Sequence, residues 1–231
     1  MPQKPIVKVI IPAFNEEESI GLVVNDIPKD VVDEVIVVNN GSTDKTDKQA
    51  LDAGATVLKE PQRGYGAACL KGIKYLTKEG SQPDILVFMD GDYSDYPEEI
   101  TSLLAPIIED DKDLVIGSRV LGNLERGAMT PQQVFGNWLS TRLLKLIYGV
   151  RYTDLGPFRA IKFSKLMELN MIDRNFGWTV EMQVKAAKLK YAYAEVPVDY
   201  RKRIGFSKIS GTVKGSILAG HKILYTIFKN I

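Results

Sequence analysis

The sequence predicts an α/β fold with a mostly parallel central sheet flanked by helices, laid out in the Rossmann-like manner. Three observations carry that expectation. Short β-branched runs alternate with helical patterns, the strand candidates are apolar on both faces, and turn-forming or acidic residues follow the strands directly. Residues 6–11, 34–38, 55–58, 84–89 and 114–116 read as strands, and helical stretches follow Glu17, Asp44, Gly66 and Pro97. Apolarity on both faces is what a parallel sheet covered by helices on both sides requires. In such sheets the ligand crevice lies beyond the carboxyl ends of the strands, so the residues just after each strand are the functional candidates.

Beyond about residue 120 the pattern changes. A loop with Gly122, Gly127 and Pro131 leads into a helix over 132–148, followed by a segment at 153–161, a helix over 178–189, a strand near 193–200 and a terminal helix over 212–229. No internal repeat, low-complexity tract or interdomain linker interrupts this order, so residues 1–231 are expected to form one domain.

Composition narrows the function classes. The chain has 231 residues, 45% of them hydrophobic and 26% charged, with a net charge of +1, which suits a globular domain and gives no reason to expect a nucleic-acid partner. Cys69 is the single cysteine and reads as a small buried hydrophobe rather than a nucleophile. His221 is the single histidine, which removes zinc sites built on two or more histidines. The N-terminus lacks the layout of a signal peptide, and no apolar run approaches the roughly 20 residues that span a bilayer. A cytoplasmic, non-spanning protein is the expectation.

Four strand-end segments carry the chemistry. After the first strand, Pro12-Ala13-Phe14-Asn15-Glu16-Glu17 stops the ladder and opens a helix with acidic residues, either as dipole complements or as ligand contacts. After the second, Asn39-Asn40-Gly41-Ser42-Thr43-Asp44 is a turn followed by capping residues, or a loop able to hold a base and ribose. After the third, Arg63-Gly64-Tyr65-Gly66 would let the backbone approach a phosphate or the second loop, with Arg63 meeting negative charge. The fourth strand ends in Met89-Asp90-Gly91-Asp92, two carboxylates one residue apart that can hold a hard cation such as Mg²⁺ or Mn²⁺ shared with substrate phosphates.

Together these segments resemble glycosyltransferase family 2, the inverting GT-A enzymes, and within it the dolichyl-phosphate mannose and polyprenyl-phosphate glucose synthases. Gly117-Ser118-Arg119, Thr153-Asp154-Leu155-Gly156-Pro157-Phe158-Arg159-Ala160 and Arg201-Lys202-Arg203-Ile204-Gly205-Phe206-Ser207-Lys208 extend the resemblance over essentially the whole chain. The chain departs from the usual pattern in two places. Asn39-Asn40 stand where two aspartates are usual, and Tyr93-Ser94 follow the acidic triplet where the mannose synthases carry Leu-Gln. The resemblance implies a nucleotide-sugar-binding half over 1–119 and an acceptor-side half over 120–231. Pro12, Ala13, Asn15, Glu17, Asn40, Asp44, Arg63, Gly64 and Asp90 would contact a nucleotide-diphosphate sugar of the GDP-mannose or UDP-glucose type. Asp90 and Asp92 would hold Mg²⁺ or Mn²⁺ on its diphosphate.

Inversion needs an in-line nucleophile and help for the leaving diphosphate, which a metal at Asp92 would supply. A sugar-hydroxyl acceptor also needs a general base, and the resemblance places Asp154 there. A phosphate acceptor is already anionic and needs cations instead. Arg119, Arg126, Arg201, Arg203 and Lys208 offer them, and with Ser207 they make a polyprenyl or dolichyl phosphate the leading acceptor. Val134, Phe135, Trp138, Leu139, Leu143, Leu146 and Ile147 give the 132–148 helix a broad apolar face, suited to core packing or, as the resemblance implies, to peripheral contact with the cytoplasmic face of a membrane. Seven Lys or Arg against one Asp from Asp199 onward favour an anionic surface nearby. Two other readings stay open: transfer to a saccharide or small soluble acceptor, and a nucleotide-sugar-binding module without catalysis.

Overall fold

A computed structural model describes residues 4–78, 82–205 and 213–230. Seven strands form one sheet in the order β3-β2-β1-β4-β6-β5-β7, drawn from both halves of the sequence. They are β1 (Val7–Ala13), β2 (Glu34–Asn39), β3 (Thr56–Lys59), β4 (Ile85–Phe88), β5 (Leu114–Ser118), β6 (Arg159–Lys162) and β7 (Tyr193–Pro197). The helices are α1 (Ile20–Asp26), α2 (Thr46–Asp52), α3 (Tyr65–Lys78), α4 (Ile100–Glu109), α5 (Pro131–Tyr148), α6 (Phe163–Leu169), α7 (Trp178–Lys188) and α8 (Val213–Lys229). The α/β layout with a mostly parallel sheet is therefore as expected.

One strand is antiparallel. β6 runs against both β4 and β5, with Phe88 opposite Arg159 and Ile116 opposite Arg159, whereas β1 to β4 and the β5–β7 pair are parallel. That insertion joins the two halves, because residues 159–162 return from the C-terminal half into the middle of the sheet.

Strand side chains alternate between two cores. Val9 and Ile11 face Ile20 and Val23 of α1 and Leu103 and Ile107 of α4, while Ile10, Ile36 and Phe88 face Ala68, Cys69 and Leu76 of α3 and Trp178 and Val180 of α7. Phe88 and Trp178 meet edge to face at 5.9 Å between ring centroids, which anchors the start of α7 under the carboxyl end of β4. Cys69 is buried in this core.

α5 has strong local stop and start signals. Thr130 caps it in a reciprocal box with Gln133, Pro131 opens the first turn, and Gly149 ends it in the left-handed region at φ 73°. Its packing splits the apolar face, with Leu143 and Ile147 set against the core around Leu144. Ser140, Thr141 and Leu144 are buried, whereas Val134, Phe135 and Trp138 are 50%, 61% and 52% exposed and Leu146 projects outward. Among the described residues no helix is long and apolar enough to cross a membrane.

Candidate active site

The carboxyl ends of β1, β2, β4 and β5 converge on the two acidic residues after β4. Asp92 is pinned from both sides: one carboxylate oxygen accepts from the Ser94 backbone N–H at 3.0 Å and from the Ser94 hydroxyl, and the other meets the Arg203 guanidinium at 2.8 Å. Arg203 also reaches Glu16 at 3.5 Å, and the Ile204 N–H donates to the Asp92 carbonyl at 2.9 Å, so the 200–204 strap lies directly over the acidic turn. Burial and then the Asp92 charge push the Asp90 carboxyl up to about 7. Asp95 is only 1% exposed, and neither of its carboxylate oxygens has a hydrogen-bond partner among the described residues. Burial and the Asp90 and Asp92 charges raise its pKa well above the carboxylate range.

Such an excess of buried acid fits a cation. Asp90 and Asp92 offer oxygen donors of the kind Mg²⁺ and Mn²⁺ prefer, and among the described residues no set of three or more acidic, His or Cys side chains is arranged to hold a metal alone. A cation here would complete its shell with oxygens from a ligand.

The loops after β1 and β2 are laced together rather than open. Asn15, left-handed at φ 54°, accepts from the Thr43 N–H at 2.8 Å and donates its own N–H to the Ser42 hydroxyl at 2.9 Å. Glu17 accepts from the Lys45 N–H at 3.0 Å, and Asp44 accepts from the Glu17 and Thr46 backbone N–H groups at 3.2 and 3.0 Å. Asn40 donates to the carbonyls of Glu60 and Gln62 and accepts from the Gly64 N–H at 2.7 Å. Pro12 and Ala13 lie in the β1–β2 ladder opposite Val38 and Asn39. The side chains of Asn15, Glu17, Asn40 and Asp44 thus shape this rim by bonding backbone groups of the facing loops. Above it the Arg63 guanidinium stacks on the Phe14 ring at 3.6 Å, an exposed planar platform that the sequence reading did not single out in Phe14.

The glycines after β3 serve a close backbone crossing. A Cβ on Gly64 would lie 2.0 Å from the Arg174 carbonyl oxygen, and one on Gly66 would lie 2.0 Å from that of Asp173, while the Ala67 N–H donates to Arg174 at 2.9 Å. Gly66→Ala is expected to lower stability by about 3 kcal/mol through this overlap, read as a drop in Tm of roughly 5–10 °C.

Directly after β5, Arg119 forms a buried fork with Asp154. Arg119 Nε and Nη2 donate to the two Asp154 oxygens at 2.8 and 2.7 Å, and the Arg119 backbone N–H adds a third bond at 2.9 Å. Asp154 is 0% exposed. Burial opposes the Arg119 charge, but the Asp154 carboxylate outweighs it and raises the pKa. Glu195 fastens the loop from behind by accepting from the Thr153 and Asp154 N–H groups. Arg159 is completely buried and donates to the carbonyls of Leu155, Gly156 and Thr179; burial lowers its pKa to about 10.

Arg201 is differently employed. Its guanidinium is stacked on Tyr93 at 3.5 Å and Tyr96 at 4.2 Å and donates to the Tyr93 carbonyl at 2.7 Å, so it ties the strap to the loop after Asp92. Arg126 is exposed on the loop before α5. Ser207 and Lys208 lie outside the described residues.

These groups open onto a cavity of about 300 Å³. Asp90, Asp92, Arg119 and Arg203 form its charged part, and Leu155, Pro157, Phe176, Trp178 and Ile223 supply apolar wall between α5, α7 and α8. Sequence reasoning brought Asp90, Asp92, Arg119 and Arg203 to this place. It passed over Tyr65, Gln133, Trp178, Tyr200 and Ile223, which line the same space. Of these, Tyr65 sat inside a quoted motif and Trp178 opened a recognised helix; their neighbours here are remote in sequence.

Known proteins resemble this chain in sequence or in fold. An uncharacterized glycosyltransferase of Mycobacterium tuberculosis is 34% identical over 217 residues, covering 92% of this chain and 94% of the relative. The undecaprenyl-phosphate mannosyltransferase of Micrococcus luteus is 31% identical over 90% of this chain and 89% of its own length. The dolichyl-phosphate hexose transferase of Haloferax volcanii is 31% identical over 91% and 89%. Glucosyl-3-phosphoglycerate synthase of Mycobacterium tuberculosis, crystallised with Mn²⁺, uridine diphosphate and phosphoglyceric acid, superposes with a TM-score of 0.77 at 21% identity, over 98% of this chain and 78% of that one. The fold is thus the GT-A arrangement expected from the sequence. Residues 8–169 match the model of glycosyl transferase family 2, and the chain belongs to that family.

Proposed function

We propose that this glycosyltransferase moves a hexose from a nucleotide-diphosphate sugar, of the GDP-mannose or UDP-glucose type, to a polyprenyl or dolichyl phosphate at a membrane surface. The carrying observation is the two-part cavity, with carboxylates and arginines in one part and apolar wall in the other, beside a helix that turns Val134, Phe135 and Trp138 outward. A lipid phosphate has the same two parts. The printed activities of the Micrococcus and Haloferax relatives, which concern undecaprenyl and dolichyl phosphates, support this reading.

Arg119 is the natural acceptor-phosphate anchor, because Asp154 fixes its fork and keeps it charged. Asp154 acts as a positioning residue in this reading. Both its oxygens are already bound by Arg119, and a phosphate oxygen attacks the anomeric carbon without losing a proton first. Arg203, on Asp92 and Glu16, places a second positive charge where the diphosphate leaves. Asp90 and Asp92 would hold Mg²⁺ or Mn²⁺, which would neutralise the diphosphate and supply Lewis-acid help to its departure; the related synthase crystallised with either ion and uridine diphosphate supports that choice.

The Phe135 and Trp138 rings, 5.9 Å apart, and the Arg142 guanidinium 5.9 Å over Trp138 make an aromatic and basic surface suited to anionic lipid headgroups. Phe135→Ser with Trp138→Ser is expected to abolish most sedimentation with anionic vesicles while keeping Tm within about 2 °C, since both side chains are exposed. The function itself is tested by incubating the protein and Mn²⁺ with radiolabelled GDP-mannose or UDP-glucose and a short polyprenyl phosphate. Label that enters the organic phase supports the proposal; label that enters only water-soluble products overturns it.

A further inference from the structure

One polar atom in the cavity has no task in the account above. Tyr65 is the first residue of α3, its ring packs against the core, and its hydroxyl is withdrawn from solvent close to the Asp90 carboxylate without making a hydrogen bond of normal geometry to any described residue. Buried hydroxyls are almost always partnered in folded proteins, so one left open inside a ligand cavity marks where a ligand atom belongs. A phenol is neutral at ordinary pH and can both donate and accept. Its position is fixed. Gly64 and Gly66 on either side lie against the Arg174 and Asp173 carbonyls, which holds the backbone that carries the ring.

The chemistry of the remaining cavity decides which part of the ligands it meets. Asp90 and Asp92 suit a cation on the diphosphate, and Arg119 and Arg203 suit phosphate oxygens. The transferred sugar must lie between these groups, because the bond to the donor phosphate breaks and the bond to the acceptor oxygen forms at the same anomeric carbon. A neutral hydroxyl beside Asp90, with Trp178 on the same wall, matches a ring hydroxyl rather than a phosphate. Resting on the proposed function, we infer that the Tyr65 hydroxyl hydrogen-bonds a ring hydroxyl of the transferred hexose and sets the choice between hexoses that differ there.

Tyr65→Phe removes only the hydroxyl and keeps the ring in its packing. The test compares the wild-type chain and this variant, with Mn²⁺ and a short polyprenyl phosphate, across UDP-glucose, UDP-galactose, GDP-mannose and single-deoxy analogues of the preferred donor. Isothermal titration with the free nucleoside diphosphate is run alongside. The expected result is a fall in kcat/KM for the preferred donor on the order of 10- to 100-fold. Affinity for the nucleoside diphosphate and KM for the lipid should be unchanged, and one deoxy donor should be used equally well by both proteins. Unchanged donor preference with every deoxy analogue still discriminated, or a loss confined to the KM for lipid phosphate, would overturn the inference. A wild-type chain that binds the nucleoside diphosphate yet transfers no sugar would instead strike the functional reading on which it rests.

Discussion

Asp92→Asn should reduce turnover by about a thousandfold while leaving the folded chain intact. Asparagine keeps an oxygen for the Ser94 N–H and hydroxyl, so the turn survives, but the negative charge that would hold the cation is lost. Removing several kcal/mol of leaving-group stabilisation corresponds to that factor, at tenfold for each 1.36 kcal/mol. Mn²⁺ affinity, measured by titration calorimetry in the presence of nucleoside diphosphate, should fall with it, and full activity in excess chelator would refute the metal assignment. The neighbouring Asp90 adds a pH dependence. Its pKa in the fold is raised to about 7 from an ordinary value of 3.8, so below that pH a proton occupies the group and must leave before the cation can bind. Mn²⁺ affinity is therefore expected to rise as pH climbs toward about 7, to level off above it, and to lose about tenfold for each pH unit below.

Asp154→Ala separates the positioning role from the general-base role. The aspartate is 0% exposed and its carboxylate takes three hydrogen bonds from Arg119, so its removal leaves an uncompensated buried guanidinium. Breaking such a pair costs about 3–5 kcal/mol of stability, and the acceptor anchor is lost with it. The double variant Arg119→Met, Asp154→Leu, which removes both charges, should recover much of that stability in urea unfolding and recover no transfer activity. A general base would behave otherwise. The stability loss would be the same, since the buried pair with Arg119 is broken either way, but the acidic limb of the pH–rate profile would disappear, whereas a positioning residue leaves that limb in place.

The sequence legibility of the fold follows hydrophobic period. β1, β2, β4 and β5 are runs such as Val7–Ala13 with residues buried on both faces, and the first three end in Pro, Asn-Gly or Asp-Gly punctuation, so their existence and most of their ends can be read. β6 cannot be read in the same way. Arg159–Lys162 is four residues long, begins with a charged side chain, and is a strand only because β4 and β5 flank it, a pairing between segments far apart in sequence. α6 follows directly in its shadow.

The site divides similarly. Asp90, Asp92, Arg119 and Arg203 are legible because charged residues after buried strands, or in a motif-bearing loop, have few structural reasons to converge. Asn15, Glu17, Asn40 and Asp44 are legible as loop residues, but the extent of their bonding to the facing loops is a product of two loops meeting. Arg201 shows the same limit, since its stacking between Tyr93 and Tyr96 depends on a strap that crosses about a hundred residues of sequence separation. α5 presents the opposite case. Its apolar residues look like a core-facing stripe, yet the described structure buries Ser140, Thr141 and Leu144 and leaves the aromatics outside.

The most direct measurement of the central claim is release of nucleoside diphosphate from GDP-mannose and from UDP-glucose with Mn²⁺, in parallel reactions with a short polyprenyl phosphate, with phosphoglycerate, and with no acceptor. The account predicts release with one donor that rises steeply with the polyprenyl phosphate alone. Release driven by phosphoglycerate, or a slow rate indifferent to the lipid, would contradict it.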